Sequence, residues 1–120
     1  MSFILVMAGG AIGSGARYLT GRALAGFDGR HATLLVNLVG GLLMGVLAGL
    51  VARGSAGEGW RLFAGVGLLG GFTTFSAFSR DTVLLLQRGA IGAAAVYVLL
   101  SVAGSVAALL LGLTLVRAAA

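Results

Sequence analysis

The sequence predicts an all-α integral membrane protein, a single domain over residues 1–120 with four transmembrane helices. Of the 120 residues, 59% are hydrophobic and only 9% are charged, whereas a soluble domain carries about 25% charged residues. The mean hydropathy is +1.11. Four apolar runs follow one another along the chain, each long enough to cross a bilayer. Because so few charges cannot cover a globule, lipid is the expected solvent.

The four runs differ in the polar residues that interrupt them. The first carries Arg17 and Arg22, the second has one strongly polar side chain, Asn37, the third contains the pair Arg80-Asp81, and the fourth has no charge. The predicted helices span about 2–24, 32–52, 62–86 and 90–116. Four crossings place both termini on the same side of the membrane.

The third predicted helix contains a break near 70–76. Two adjacent glycines, two adjacent threonines and a serine fall there in the sequence GGFTTFS. Glycine weakens a helix by about 1 kcal/mol relative to alanine, and Ser and Thr can bond to nearby backbone groups in place of the helical ladder. We therefore expect a helix broken in mid-membrane, a device with which membrane proteins form ion sites.

Small residues recur at four-residue spacing, which lets helix backbones approach closely in lipid. They are Gly9 and Gly13 in the first helix, Gly41, Gly45 and Gly49 in the second, and Gly104, Ala108 and Gly112 in the fourth. Packing within one bundle explains part of this pattern. The number of such seams also favours a homodimer.

The arginines are nearly balanced between the two sides of the membrane. Orientation follows the Lys/Arg bias of the links, and the predicted sides carry three arginines against three or four. This balance favours insertion in both orientations and an antiparallel, dual-topology homodimer. A single orientation, fixed by the long fourth run or by a partner, is the alternative.

Several function classes are excluded or disfavoured. Cysteine is absent, so disulfides and thiolate chemistry are impossible. The single histidine, His31, lies in a link, and no nucleophile–base set or metal-ligand cluster of side chains has suitable spacing. Enzyme activity is therefore not expected. The arginines are scattered singly between apolar runs, so no nucleic-acid partner is expected either.

Two kinds of residue beside the break are candidates for an anion path. Asn37 is an amide inside a span, where a hydrogen bond between helices is the favoured role and donation to an anion is the alternative. Phe75 and Phe78 share one helix face and are packing residues by default. Their ring edges carry positive partial charge, so the alternative is contact with a small anion.

Further polar residues suggest a permeation path. Tyr97, Ser101 and Ser105 stack at four-residue steps on the fourth helix, either as an interhelical seam or as a ladder of hydroxyl donors for anions. Arg17 either reaches a headgroup or raises the anion concentration at a pore mouth. Asp81 is either a solvated helix-end residue or polarises the end of the pore.

Carbonyl oxygens released by the break would suit a hard cation. Gly70 and Thr73 lie where such carbonyls are expected. The alternative is a plain kink, healed by the neighbouring hydroxyls.

Three motifs together resemble the Fluc (CrcB) family of fluoride channels. They are GGAIGSGARY at 9–18, ATLLVNLVGG at 32–41 and GGFTTFSAFS at 70–79. The resemblance covers all four helices in order and spacing, and the third-helix motif is the most specific. Two departures are visible: the family commonly has Gly at the position of Ala32, and often Glu at that of Asp81.

The resemblance implies an antiparallel homodimer in a bacterial or archaeal cytoplasmic membrane. Its two pores would export fluoride passively and reduce fluoride toxicity. It implies a structural Na⁺ at the dimer centre, held by carbonyls of Gly70 and Thr73 from both subunits. The implied fluoride pathway comprises Arg17, Thr33, Asn37, Phe75, Phe78, Asp81, Tyr97, Ser101 and Ser105.

Two other functions are alternatives to a fluoride channel. A small dual-topology multidrug/proton antiporter shares the size and charge balance, but it needs a membrane-embedded carboxylate. The first run has none, and Asp81 lies beside Arg80, near the expected end of a helix. A structural assembly subunit or anchor is the other, and it would need neither the phenylalanine pair nor the hydroxyl ladder.

Overall fold

The computed structural model describes residues 1–119, so Ala120, the last residue of the predicted domain, lies outside it. Its elements are α1 (Ser2–Ala23), α2 (Gly29–Ala52), α3 (Glu58–Trp60), a π-helix (Arg61–Leu69), α4 (Gly70–Phe72), α5 (Phe75–Gln87) and α6 (Ile91–Ala118). Four stretches are long and apolar enough to cross a membrane: α1, α2, the third from Glu58 to Gln87, and α6. The prediction of an all-α protein with four such spans is confirmed.

Local chemistry sets where two of the helices begin and end. The Asp28 side chain accepts a hydrogen bond from the Arg30 backbone N–H (3.2 Å) and caps the start of α2. The turn after α5 contains Gly89 at φ +76°, a conformation that costs glycine little. α2 therefore begins three residues before the first residue of the predicted run.

Glycines bring the helices together in two parallel pairs. In the first pair, α2 packs on α6, and a Cβ on Gly45 would overlap the Leu109 carbonyl oxygen. In the second, α1 packs on the π-helix and α4, and a Cβ on Gly13 would overlap the Leu68 carbonyl oxygen. Contacts this close follow from the four-residue spacing of small residues.

These glycine seams are used inside a single chain. Gly41, Gly45 and Gly49 face α6, while Gly112 faces α2. Packing within the single chain therefore accounts for the number of seams, and these glycines leave no such seam for a second subunit in residues 1–119.

The described surface is largely apolar, as expected of a protein surrounded by lipid. Large side chains such as Phe3, Ile4, Leu99 and Leu100 are more than half exposed. Val36, by contrast, is 1% exposed at the centre of the bundle.

Candidate functional site

The third span is interrupted at two threonines. Thr73 (φ −84°, ψ 158°) and Thr74 (φ −150°, ψ 119°) have extended backbones between α4 and α5. The Thr74 hydroxyl accepts a hydrogen bond from the Ala77 N–H (3.1 Å) and caps α5. The π-helix ends at Leu69, four residues before Thr73, and such wide helical turns are frequent at functional sites.

Asn37 of α2 binds the backbone of this interruption twice. Its Nδ2 donates to the Thr74 carbonyl oxygen (3.1 Å), and its Oδ1 accepts from the Thr74 N–H (2.8 Å). The amide thus satisfies both backbone groups of a residue outside the helical ladder. This is the interhelical hydrogen bonding that the sequence favoured. Contacts within residues 1–119 engage one of the two Nδ2 hydrogens, so donation of the other to an anion stays a prediction.

Two carbonyls lose their helical donors at the same place. In an uninterrupted helix the Thr74 N–H would bond to the Gly70 carbonyl, and the Ala77 N–H to that of Thr73. The first donates instead to Asn37 and the second to the Thr74 hydroxyl. Gly70 itself is an exposed residue in the single chain. These oxygens fit a hard cation, and residues 1–119 hold no cluster of His, Cys or acidic side chains that would bind a metal instead.

A cleft of about 410 Å³ opens beside the interruption, and we call it the phenylalanine cleft. Asn37, Thr73, Thr74, Phe75, Phe78, Ser101 and Ser105 are among its lining residues. All of these except Thr74 were predicted as site residues. Six predicted residues from three spans therefore line one cleft.

Ser101 is the least satisfied polar residue of the phenylalanine cleft. Its side chain is 6% exposed, and its hydroxyl has no hydrogen-bond partner within residues 1–119. Buried polar groups are normally paired, and an exception calls for an explanation such as a missing ion or water. The cleft thus holds a donor available to a ligand.

Phe75 and Phe78 lie on one face of α5, with ring centroids 5.4 Å apart and ring planes at 50°. Their environments differ, since Phe78 is 9% exposed and Phe75 is 77% exposed. Phe78 also packs on the Tyr97 ring, at a centroid distance of 5.4 Å. One ring is therefore held in the core, and the other stands free at the mouth of the cleft.

Asp81 binds Tyr97 instead of facing solvent. The Tyr97 hydroxyl donates to Asp81 Oδ2 (3.0 Å), and an Arg80 guanidinium nitrogen lies 3.2 Å from Oδ1. Asp81 is 5% exposed and lies at the middle of α5. The interpretation of Asp81 as a solvated helix-end residue is therefore wrong. Tyr97 lies one helical turn before Ser101 on α6, and its hydroxyl proton is already engaged by Asp81.

A second cleft, of about 490 Å³, is lined by Arg17, Arg22, Arg80, Thr33 and Thr74, among others, and we call it the arginine cleft. Arg17 is half-buried, and its Nε donates to the Gly71 carbonyl oxygen (3.1 Å). The Thr33 hydroxyl donates to the Gly29 carbonyl oxygen (3.3 Å) of its own helix. Thr74 lines both clefts. Two predicted residues, Arg17 and Thr33, thus lie on the other side of the interruption from Ser101 and Ser105.

Sequence reasoning did not predict the partners of these side chains. The reciprocal bond of Asn37 joins residues 37 positions apart, and the contact of Arg17 joins residues 54 apart. Asn37 and Arg17 stand out as polar residues in apolar runs, but nothing in the sequence indicates which carbonyl each one meets.

Comparisons with known proteins agree on one family. Residues 4–113 match the family model described as CrcB-like protein, Camphor Resistance (CrcB). The chain is 52% identical over 120 residues to the "Fluoride-specific ion channel FluC" of Novosphingobium aromaticivorans, covering 96% of this chain and 95% of that protein. It is 54% identical to the protein of that name in Phenylobacterium zucineum, covering 97% and 95%. The protein of that name in Rhodospirillum centenum is 52% identical, covering 99% and 98%.

Proposed function

This chain belongs to the CrcB family, and we propose on that premise that it is a fluoride-specific ion channel of the bacterial cell membrane. The observation that carries the proposal is the phenylalanine cleft, which places the unpartnered hydroxyl of Ser101 beside two phenylalanine rings and an amide. Relatives whose sequences are about half identical to this one, along nearly the whole chain, bear the name of such a channel.

The polar groups of the cleft suit a small, strongly hydrated anion. A pore for such an ion must replace lost water with several weak donors, because one full positive charge would hold the ion too tightly for release. Ser101, Ser105 and the second Nδ2 hydrogen of Asn37 can supply such donors, and ring edges of Phe75 and Phe78 would add partial positive charge. No cationic side chain is among the residues lining this cleft within residues 1–119.

The path we propose runs from the arginine cleft to the phenylalanine cleft past Thr74. Three arginines at the first cleft raise the local anion concentration. Thr74 borders both spaces, and its backbone is held by Asn37. Tyr97 lies one helical turn before Ser101 on α6. Its bond to Asp81 fixes the position of its hydroxyl group.

We propose that two chains associate as an antiparallel homodimer with two pores. An open cleft that contains the Asn37 amide and the hydroxyls of Ser101 and Ser105 does not suit a surface in lipid, where polar groups cannot bond to water. The Gly70 carbonyl, which has lost its helical donor on an exposed residue, likewise needs a partner. A second copy in opposite orientation would cover these groups, and the balanced arginines permit that orientation.

The same dimer would hold a structural Na⁺. Gly70 and Thr73 from each subunit would contribute their carbonyl oxygens, whose helical donors are diverted to Asn37 and Thr74. When bound, the cation supplies a fixed positive charge near the two anion paths. The break at Thr73 and Thr74 would then lie in mid-membrane.

The direction of net flow would follow the membrane potential. An inside-negative potential favours the outward movement of an anion by about 2.3 kcal/mol per elementary charge for each 100 mV. A passive channel would therefore export fluoride without an energy source.

The multidrug/proton antiporter is less well supported. Asp81 is a buried carboxylate, as such a transporter requires, but its two oxygens are occupied by Tyr97 and Arg80. A structural assembly subunit would not need the unpartnered Ser101 hydroxyl.

Fluoride efflux from liposomes that contain the purified protein tests the proposal. We expect rapid fluoride release and retention of chloride in the same vesicles. An antiporter would instead couple cation uptake to a proton gradient, and a structural subunit would give no flux.

A further inference from the structure

Arg17 makes a contact that its charge alone does not explain. Its Nε donates to the Gly71 carbonyl oxygen at 3.1 Å, across 54 residues of sequence. α1 is packed firmly at this point, since a Cβ on Gly71 would lie 2.7 Å from the Gly10 carbonyl oxygen. The guanidinium is therefore held against the end of α4, where a donor satisfies a free helical carbonyl.

The carbonyls around the interruption divide into two groups. Those of Gly71 and Thr74 already accept hydrogen bonds from Arg17 and Asn37. Those of Gly70 and Thr73 have lost their helical donors. Side chains of α1 and α2 thus occupy two of these carbonyls. The carbonyls of Gly70 and Thr73 are left to a ligand.

We infer that Arg17 is a positioning residue for the cation site: its Nε–H fixes the Gly71 carbonyl and so sets the backbone that presents the Gly70 and Thr73 carbonyls. This inference rests on the proposed Na⁺ of the dimer. It assigns to Arg17 a directional hydrogen bond in addition to its effect on the potential of the arginine cleft.

The electrostatic role and the positioning role of Arg17 predict opposite effects on Na⁺ affinity. A positive charge near Na⁺ opposes its binding, so a purely electrostatic Arg17 would weaken Na⁺ affinity. A purely positioning Arg17 would strengthen it, because an unrestrained backbone must be ordered when the ion binds.

Two substitutions separate the charge from the hydrogen bond. Arg17→Gln places its amide nitrogen as many bonds from Cα as the arginine Nε, so it keeps the donor and removes the charge. Arg17→Lys keeps the charge but places a methylene where Nε–H donates. Arg117→Gln and Arg117→Lys are matched controls, because Arg117 is exposed in the last turn of α6.

Na⁺ affinity is obtained from the rise in thermal unfolding temperature as NaCl replaces choline chloride. We expect Arg17→Lys to weaken Na⁺ binding about tenfold, the effect of one lost hydrogen bond, and Arg17→Gln to bind Na⁺ as well as the unchanged protein or better. Hydrogen exchange in peptides covering residues 70–79, measured without Na⁺, should accelerate in Arg17→Lys alone. The Arg117 variants should match the unchanged protein in both measurements.

Full Na⁺ affinity and unaltered exchange in Arg17→Lys would overturn the inference. If Arg17→Lys does not fold, Arg17→Gln decides: weakened Na⁺ binding there would also overturn it. Absence of any Na⁺ response in the unchanged protein would remove the cation site and this inference with it. Fluoride efflux from the unchanged protein tests channel function separately, because it can be present whether or not Arg17 positions the backbone.

Discussion

Asn37 and Thr74 bind each other through two hydrogen bonds, of 3.1 Å and 2.8 Å, although 37 residues separate them. The Asn37 amide thereby replaces both hydrogen-bond partners that the Thr74 backbone would have in a continuous helix. The same contact releases the Gly70 carbonyl and fixes the residue that borders both clefts. The contact between Asn37 and Thr74 therefore stabilises both the proposed anion site and the proposed cation site.

Asn37→Ala should destabilise the protein and lower fluoride flux together. Loss of two hydrogen bonds, at about 0.5–1.5 kcal/mol each, gives about 1–3 kcal/mol less stability. Thermal unfolding and liposome efflux measure the two effects. Val39→Ala, on the exposed side of the same helix, is the control and should retain flux. Normal flux in Asn37→Ala would remove Asn37 from the pathway.

Phe75→Ile should reduce fluoride flux sharply while the dimer persists. The substitution keeps an apolar side chain but removes the positive ring edge. Phe3→Ile is a closely matched control, because Phe3 is 75% exposed and Phe75 is 77% exposed. Efflux rates and size-exclusion profiles of both variants are compared. Equal flux in the two would show that the ring does not contact the ion.

Ser101→Ala should change stability and flux in opposite directions. A buried hydroxyl without a partner carries a desolvation penalty of about 1–3 kcal/mol, so its removal should leave the protein equally or more stable. Flux should fall, because a donor is lost from the phenylalanine cleft. In the control Thr114→Val, the lost hydroxyl donates to its own helix in an exposed position. Unaltered flux in Ser101→Ala would contradict a role for Ser101 in permeation.

Gly13→Ala should destabilise the pairing of α1 with the third span. Its Cβ would overlap the Leu68 carbonyl oxygen, and overpacking of this kind costs about 1–3 kcal/mol. Gly15→Ala lies on the same helix with nothing within 4 Å of its Cβ, so it should be neutral or stabilising. Thermal unfolding of both variants measures the difference, and a Gly13→Ala variant as stable as Gly15→Ala would show that the seam is not tightly packed.

Stability should depend weakly on pH through Asp28. A hydrogen bond from Arg30 lowers the pKa of this carboxyl below its ordinary value of 3.8. The stabilisation is present above the unfolded-state pKa and is lost as pH falls through the lower folded-state value. Asp28→Asn keeps the cap of α2 but should lose this dependence. Unfolding temperatures between pH 5 and 2 that fall equally in both proteins would exclude Asp28 as their source.

The four spans could be predicted because they depend on local composition. Apolar runs define the spans, and adjacent glycines and threonines weaken the helix at 70–76. The four-residue spacing of Gly9 and Gly13 likewise indicated close helix packing.

The contacts within the site could not be predicted, because they depend on which helices face each other. Helical periodicity places Tyr97 and Ser101 on one face but does not show that Asp81 lies opposite Tyr97. The π-helix at Arg61–Leu69 packs against α1, and residue preference does not specify it.

Fluoride selectivity is measured by the reversal potential of the current through the purified protein in a planar bilayer. With fluoride and chloride gradients of opposite direction across the membrane, we expect a reversal potential that follows the fluoride gradient alone, because the protein is proposed to conduct fluoride and exclude chloride. A reversal potential that follows the chloride or cation gradient, or the absence of current in folded protein, would contradict it.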